Sequence, residues 1–319
     1  MLTAAATMLL SAGCGAGNYE ATPLPVAETP SASPSAPSST APPAQCVNAL
    51  ASYDPMNPLP QPNAMPANSF MAKIHDRGRI IAGVSADTLL LGARNPLTGN
   101  IEGFDIDMLK AVSQAIFGDP NKIEFKVITA AQRIDVLRSG SVDIVARAMT
   151  INCARWQQIA FSAQYYQAGQ KVLVANNSKA ESRNDLVHGE RVCAPTGTSS
   201  YDNLSLFPKN IVKVGSDTHT GCLVLFQQGK VDAITGDDTV LAGLAAQDPY
   251  AKVLQEPAFT SEPYGLGISQ AHPDFVSFVN KVLENVKADG RWKASYNRWL
   301  AGALGPAPAP PTPVYGRAP

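Results

Sequence analysis

Net charge of either sign is almost absent from this chain. Its 25 Lys and Arg against 26 Asp and Glu leave −1, which gives no electrostatic case for nucleic acid. Long apolar runs are lacking too, and no segment reaches the roughly 20 residues that a membrane-spanning helix needs. There is no CxxC pair and no histidine cluster, so no metal site is expected. Neither GxGxxG nor the GK[ST] of a P-loop occurs, and no cofactor is expected. What the chain does have is an apolar fraction of 45% over 319 residues, enough for a real core and for two domains of ordinary size. Its 26 prolines are crowded rather than spread. They concentrate in residues 23–66 and 306–319, which therefore read as tails.

The first residues, MLTAAATMLLSAGCG, form a short apolar run followed by small residues and Cys14. This resembles the end of a bacterial lipoprotein signal, in which the cysteine becomes the lipidated first residue. Ser11 stands where such signals usually have Leu, and no Lys or Arg precedes the run, which leaves open a start upstream. An ordinary secretory signal cut near Ala12 is the alternative. A doubly acylated Cys14 would anchor the chain stably. Residues 15–68 follow as a Pro/Ser-rich tether and N-terminal extension. Its stretch ATPLPVAETPSASPSAPSSTAPPA cannot bury a core and is expected to be extended, spanning at most roughly 75 Å.

The folded part is expected from near Ser69. Arg79–Val84 is a predicted strand and residues 85–100 a loop. A helix follows with Asp105 as N-cap and Ile106, Leu109, Val112 and Ile116 on one face. Lys122–Thr129 is the second strand, Ile134–Ser139 a short helix and Val142–Ala148 the third strand. This βαβα order implies a mostly parallel sheet with helices on its faces. Arg155 comes just past that third strand, where open α/β sheets bind ligands. Its guanidinium fork suits a carboxylate, so Arg155 is read as the holder of an amino acid's α-carboxylate. After Gly169 a second set begins: strands Lys171–Ala175, Arg191–Ala194, Ile211–Val214 and Val231–Thr235, with a helix at Leu223–Gln228. Strand Gly265–Ser269 and helices Phe275–Lys287 and Trp292–Leu300 complete the chain, before a polyproline or disordered tail. Two lobes follow: residues 69–168 with 263–302, and residues 169–262 inserted between them. The chain crosses near Tyr166–Lys171 and again near Phe259–Leu266, a paired crossover that acts as a hinge.

The segments GFDIDMLKAVSQAI, RIDVLRSGSVDIVARAMT, AFSAQYYQAGQKVLV, RVCAPTGTSS and VDAITGDDTVLAG resemble, in order, the extracellular solute-binding proteins of family 3, which serve ABC importers of polar amino acids. The Pro-rich ends and the cysteine placement are similar to actinobacterial glutamine/glutamate/aspartate-binding lipoproteins. The resemblance implies an α/β fold of two lobes that close over a ligand like a Venus flytrap. It implies that Thr150 and Arg155 grip the α-carboxylate, that Thr198 and the amides after it face the same group, and that Asp237 pairs with the α-ammonium. It places Arg133 and His219 at contacts to an acidic side chain, with Ala148 also among the contact residues. Leu91 and Ala130 stand where many relatives have an aromatic ring, so the roof of the pocket is expected to be aliphatic and wide. Arg147, inside an apolar strand, either faces the cleft or ends in an edge ion pair.

Five cysteines in an exported protein leave one over. With Cys14 lipidated, the expected disulfides are Cys193–Cys222 and Cys46–Cys153. The expected function is a monomeric, lipid-anchored receptor at the outer face of the cytoplasmic membrane. It would bind glutamate and aspartate, and their amides more weakly, for a membrane transporter. A sensor signalling through a membrane protein would use the same cleft. A dehydratase-like enzyme on this fold would need a general acid over the cleft, whereas Arg155 with Asp237 suits static recognition of a zwitterion. If His219 faces the side-chain carboxylate, affinity should fall as pH rises from about 6 to 8.

Overall fold

The computed structural model describes residues 46–318. The expected lipidation site Cys14 and the Pro/Ser-rich stretch lie outside these residues.

Two sheets organise the described chain. In the first, strands Ile123–Val127, Ile80–Val84 and Ile144–Ala146 run parallel, in that order. Gly267–Ile268 and then Ala160–Phe161 extend it antiparallel. In the second, Val212–Ser216, Arg191–Pro195 and Ala233–Asp237 are parallel neighbours. They are flanked by Tyr166–Ala175 and Ala251–Val253, both antiparallel additions. The inner parallel strands Ile80–Val84, Ile144–Ala146, Arg191–Pro195 and Ala233–Asp237 are mostly buried, whereas the edge strands Ile123–Val127 and Val212–Ser216 are largely exposed and carry charged or polar residues. In the second sheet Val172 and Val174 pack on one face with Val192 and Ala194, while Leu173, Cys193 and Ile234 pack on the other, the two-residue alternation of a pleated strand.

The strand Tyr166–Ala175 begins beside the first sheet and ends as a member of the second. Thr260–Tyr264 pairs antiparallel with its first half, Thr260 opposite Gln170 and Tyr264 opposite Tyr166. The two expected crossovers therefore fall on one hydrogen-bonded ribbon between the lobes.

Helices cover the first sheet with residues at 3.6 spacing. Phe104–Phe117 buries Phe104, Met108, Leu109, Val112 and Ile116 and ends at Gly118 in the left-handed region. Pro273–Ala288 starts with proline at its first position and buries Phe275, Val276, Val279, Leu283 and Val286. An aromatic cluster of Phe104, Tyr165, Tyr166, Trp292 and Tyr296 joins the first of these helices and helix Arg291–Trp299 to the crossover strand.

Several expectations are corrected. The helix cap is Gly103, with φ 144° and no side-chain hydrogen bond, and Asp105 is a buried residue inside the first turn. A Cβ at residue 103 would lie 2.3 Å from the Leu91 carbonyl, so only glycine lets the helix start against that loop. The loop at 85–100 contains strands Asp87–Thr88 and Gly92–Arg94, which form a small sheet with Ile101–Glu102. The third strand is shorter than expected, because Arg147 and Ala148 leave the ladder, Ala148 with φ 43°. The helix expected from Leu223 begins four residues earlier, at His219.

The largest corrections concern the ends. Folded structure does not wait for Ser69. Ser52 is fully buried, Tyr53 joins the core, and a helix Phe70–Arg77 precedes the first strand. The proline-rich tail is docked too. Ala51 bridges Val314, Ser52 N–H donates to the Val314 carbonyl, and Arg317 N–H donates to Ser52 O. Lys287 Nζ donates to Pro311 O at 2.9 Å. A tail with few hydrophobes holds because its backbone groups find specific partners, which composition does not reveal.

Both expected disulfides are present, Cys46–Cys153 across 107 residues and Cys193–Cys222 across 29. Loop closure predicts that they stabilise the fold by about 4–5 and 3–4 kcal/mol respectively. Chemical denaturation of the paired serine variants should return losses of that order, the longer loop giving the larger. Hydrogen exchange should show slow amides at Ser52 and Arg317; free exchange at both would remove the docked tail.

Candidate functional site

A cleft opens where the strand ends of both sheets meet, as expected for open α/β sheets. It encloses about 460 Å³ of non-atom space, part of it open to solvent. The first lobe contributes Ser85, Thr88, Leu91, Asp105, Arg133, Arg147, Ala148, Thr150 and Arg155. The second contributes Thr198, Ser199, Ser200, His219, Asp237 and Val240. Every residue expected to contact ligand lines this one cleft, including Arg147, which resolves its two alternatives. Leu91 is buried there, as an aliphatic wall.

Three guanidiniums are buried together, and burial lowers the pKa of each. Arg155 lies in a four-residue helix, Cys153–Trp156, that Asn152 caps by accepting from the Arg155 N–H. Its Nη1 donates to Thr150 O at 2.6 Å, and Nη2 only reaches Gly197 O at 3.5 Å. Arg147 donates through Nε to Ile128 O, its only hydrogen bond among the described residues. Its two Nη groups remain available to the cleft.

Arg133 is different. Nε donates to Ala130 O, Nη1 to the carbonyls of Arg147 and Ala148, and Nη2 across the cleft to Gly197 O at 2.9 Å. Of its five N–H donors one is left. Arg133, expected at a ligand side chain, lines the cleft but spends most of its donors fastening the strand-end loop to the other lobe. Gly197 is suited to that contact, with φ 71° and a Cβ position only 2.7 Å from Ala131 Cα.

Asp237 ends its strand with Oδ2 accepting from Tyr264 OH at 2.6 Å. Its Oδ1 is buried without a partner among the described residues. Burial, then the Glu262 carboxylate, push its pKa to about 8. It does not cap the helix that follows. An unpaired buried carboxylate oxygen is costly unless a donor arrives, and an ammonium is such a donor.

Two further carboxylates escaped the sequence reading. Asp105 accepts from Tyr165 OH and from the Ala148 N–H. Burial raises its pKa to about 6. It thereby holds Ala148 in a backbone region that a non-glycine residue enters at a cost of roughly 1 kcal/mol. Glu262, in the second crossover strand and 2% exposed, accepts from Thr150 Oγ1 at 2.6 Å, Ser199 Oγ at 2.7 Å and Thr260 Oγ1 at 2.7 Å. It gathers hydroxyls from both lobes. The sequence signal was weak: a Glu before Pro263-Tyr264 inside a segment read only as a crossover.

The hydroxyl roles change accordingly. A hydroxyl has one proton, and Thr150 and Ser199 direct theirs to Glu262. Towards the cleft they offer lone pairs. Thr198 is the cap of helix Ser199–Asp202, accepting from Tyr201 N–H and donating to Pro195 O.

His219 opens the helix His219–Gln227 and is half-buried. Its Nε2 is buried, has no partner among the described residues and lies against Gly236, where a Cβ would come within 2.5 Å. Burial and the Arg147 charge push its pKa down to about 3. It is a neutral ring across ordinary pH, which corrects the expected titration between pH 6 and 8.

The glutamine-binding protein GlnH of an ABC transporter in Bacillus subtilis is 34% identical over 230 residues, 72% of this chain and 84% of that protein. The glutamate-binding protein GluB of Corynebacterium efficiens is 30% identical over 241 residues, 72% of this chain and 80% of that one. The solved structure of holo ArgBP from T. maritima superposes with a TM-score of 0.63 at 28% identity, covering 68% of this chain and 93% of that one. Residues 80–302 match the bacterial extracellular solute-binding proteins, family 3. That stretch contains both sheets, the paired crossover strands and every residue of the cleft, and the chain belongs to that family of binding proteins, which are not enzymes.

Proposed function

We propose that this protein is an exported receptor that closes over a polar amino acid and presents it to an ABC-type importer in the membrane. The observation that carries this reading is the pairing in one cleft of Arg155, whose Nη2 is barely engaged, with Asp237, whose Oδ1 has no donor. They come from opposite lobes and complement the two charges of a zwitterion. Closing the lobes brings them together, so ligand and closure stabilise each other.

The side chain of the ligand faces Arg147, of the three cleft arginines the one with two free Nη groups among the described residues, across aliphatic Leu91 and Val240. A carboxylate fits such a fork best and an amide oxygen less well. The preference is therefore glutamate and aspartate first, glutamine and asparagine second. Asp105 and Glu262 balance two of the three arginines, so the margin between acid and amide is narrow, about tenfold or less. Lysine and arginine would bring a cation against Arg147 and are rejected. The reading also keeps Cys14 as a lipid anchor, the proline-rich stretch as a tether, and one copy of the chain as the working unit.

Arg155→Ala should weaken binding by more than about a hundredfold, roughly 3–5 kcal/mol. Titration calorimetry within fivefold of wild type would sink the assignment. A thermal-shift panel of the twenty amino acids should rank the acids above their amides; stabilisation by lysine or arginine above glutamate would overturn the order.

The pH dependence has a definite sign. With a pKa of about 8 in the free protein, Asp237 is largely protonated at pH 6. Binding an ammonium needs the carboxylate, so it releases a proton and affinity rises with pH up to about 8. His219 stays neutral throughout. Calorimetry at pH 6 and 7.5 should show tighter binding at the higher value, with proton release seen in buffers of different ionisation enthalpy. Tighter binding at pH 6 would contradict the role given to Asp237.

A further inference from the structure

The segments outside the family match do not merely flank the fold. Residues 46–56 and 306–317 meet on the outer side of the four-residue helix that carries Arg155. Cys153, the first residue of that helix, is bonded to Cys46. Trp156, its last residue, donates through Nε1 to Ala49 O at 2.8 Å. The Arg317 guanidinium lies 3.9 Å from the centroid of the Trp156 ring. Arg317 also donates through Nε to Ala51 O at 2.7 Å and through Nη2 to Asn48 O at 2.8 Å. The Ala51–Val314 bridge and Ser52 Oγ donating to Phe161 O close the assembly onto the first sheet.

A helix of one turn has almost no stability of its own. Here both its ends are held by groups remote in sequence, and Arg155 lies between those ends. Side chains that recognise charge must be held within about half an ångström of their working position. We infer that the N-terminal segment and the C-terminal tail form a clasp, through Cys46, Ala49 and Arg317, that positions Arg155 for its ligand. Arg317 and the Cys46–Cys153 bond are positioning groups. They touch no ligand, and they act through Cys153 and Trp156.

This rests on the reading of Arg155 as the ligand's carboxylate partner. The clasp differs from general stabilisation in what it predicts. Loosening it moves Arg155 and raises the dissociation rate of the ligand, even in a protein that is fully folded at the assay temperature. The Arg77–Asp143 pair serves as a control, because Asp143 lies just before strand Ile144–Ala146, at the end of the sheet away from the cleft, and also accepts from Ile81 N–H. Losing it costs stability without touching the clasp.

The experiment uses the exported chain without its lipid and glutamate as probe, by stopped-flow and calorimetry well below the melting point. Arg317→Ala, and separately Cys46→Ser with Cys153→Ser, should each weaken glutamate binding about three- to tenfold, mostly through faster release. Combining them should add little, because both act on one helix. Arg317→Lys, which keeps a cation over Trp156, should recover part of the loss. Asp143→Asn should lower the melting temperature and leave the affinity within twofold. Wild-type affinity in both clasp variants, or an equal loss in Asp143→Asn, overturns the inference. If Arg155→Ala itself binds glutamate normally, the reading of Arg155 fails first. If Arg155→Ala loses binding while the clasp variants keep it, the clasp alone fails. Should the serine pair not fold, Arg317→Ala decides the matter by itself.

Discussion

The cleft depends on neutralising charge that has been taken out of water. Arg133, Arg147 and Arg155 are all at most 9% exposed, as are Asp105, Asp237 and Glu262. Three guanidiniums and three carboxyl groups in one dry volume would be untenable singly as ions, since an isolated buried ion costs several kcal/mol even after relaxation. They are distributed so that each carboxylate also orders a piece of backbone or a hydroxyl pair. Asp105 fixes the turned Ala148 and Glu262 ties Thr150 to Ser199. Arg133 spends its donors on carbonyls, including one from the opposite lobe. The lobes are therefore joined by the same groups that make the site polar. What remains uncommitted is small: the Asp237 Oδ1, the Arg147 Nη groups and most of the Arg155 fork. Those three, with one N–H of Arg133 and the His219 Nε2, define what a ligand must supply.

The ends of the chain belong to this scheme. A site built at strand termini needs its short connecting segments held rigid, since loops that carry function are otherwise the least stable parts of a fold. The first lobe meets that need from outside the family-matched stretch. Residues on either side of it converge on Trp156, and a disulfide joins the N-terminal one to Cys153. In the second lobe the other disulfide joins strand Arg191–Pro195 to helix His219–Gln227. That helix sets His219 against the Asp237 strand. Each lobe thus has one covalent staple placed behind its own contribution to the cleft.

The sequence made the frame legible because the frame is local. Ile80–Val84, Phe104–Phe117 and Pro273–Ala288 announce themselves through β-branched runs or 3.6 spacing, and the crossover was readable from the order of elements. The cleft's membership was readable through ordered motifs. What each member does was not. Arg133 looked like a ligand contact, yet its partners are carbonyls from residues 130, 147, 148 and 197, which no pattern brings together. Asp105 looked like a helix cap because carboxylates near a helix start usually are, whereas its partners come from Tyr165 and Ala148. Glu262 gave only a weak signal, because its importance lies in collecting donors from two lobes. The proline-rich tail misled for a related reason: composition reports the scarcity of hydrophobes and is silent on a backbone paired at Ser52 and a guanidinium on Trp156.

Proton counting explains why acid and amide side chains should be hard to separate at this site. Thr150 and Ser199 give their only protons to Glu262, and His219 is a neutral ring whose free nitrogen is buried against Gly236. No hydroxyl among them donates into the cleft. Donors for a ligand carboxyl group therefore come from guanidiniums and backbone, and a guanidinium donates to an amide's single oxygen as well as to the paired oxygens of a carboxylate. On the proposed reading, an amide's own NH2 would meet the lone pairs of Ser85 and Thr88 in the same wall, where the two hydroxyls are 2.8 Å apart. A carboxylate gains the Coulomb attraction of Arg147 but must share that charge with nearby Asp87 and Asp105. The two effects oppose each other, so discrimination rests on the difference between a charge-assisted and a neutral hydrogen bond, about 1 kcal/mol. Rejection of a basic side chain needs no such balance. Its cation would meet Arg147 in a medium of low dielectric, where like charges are costly at any orientation.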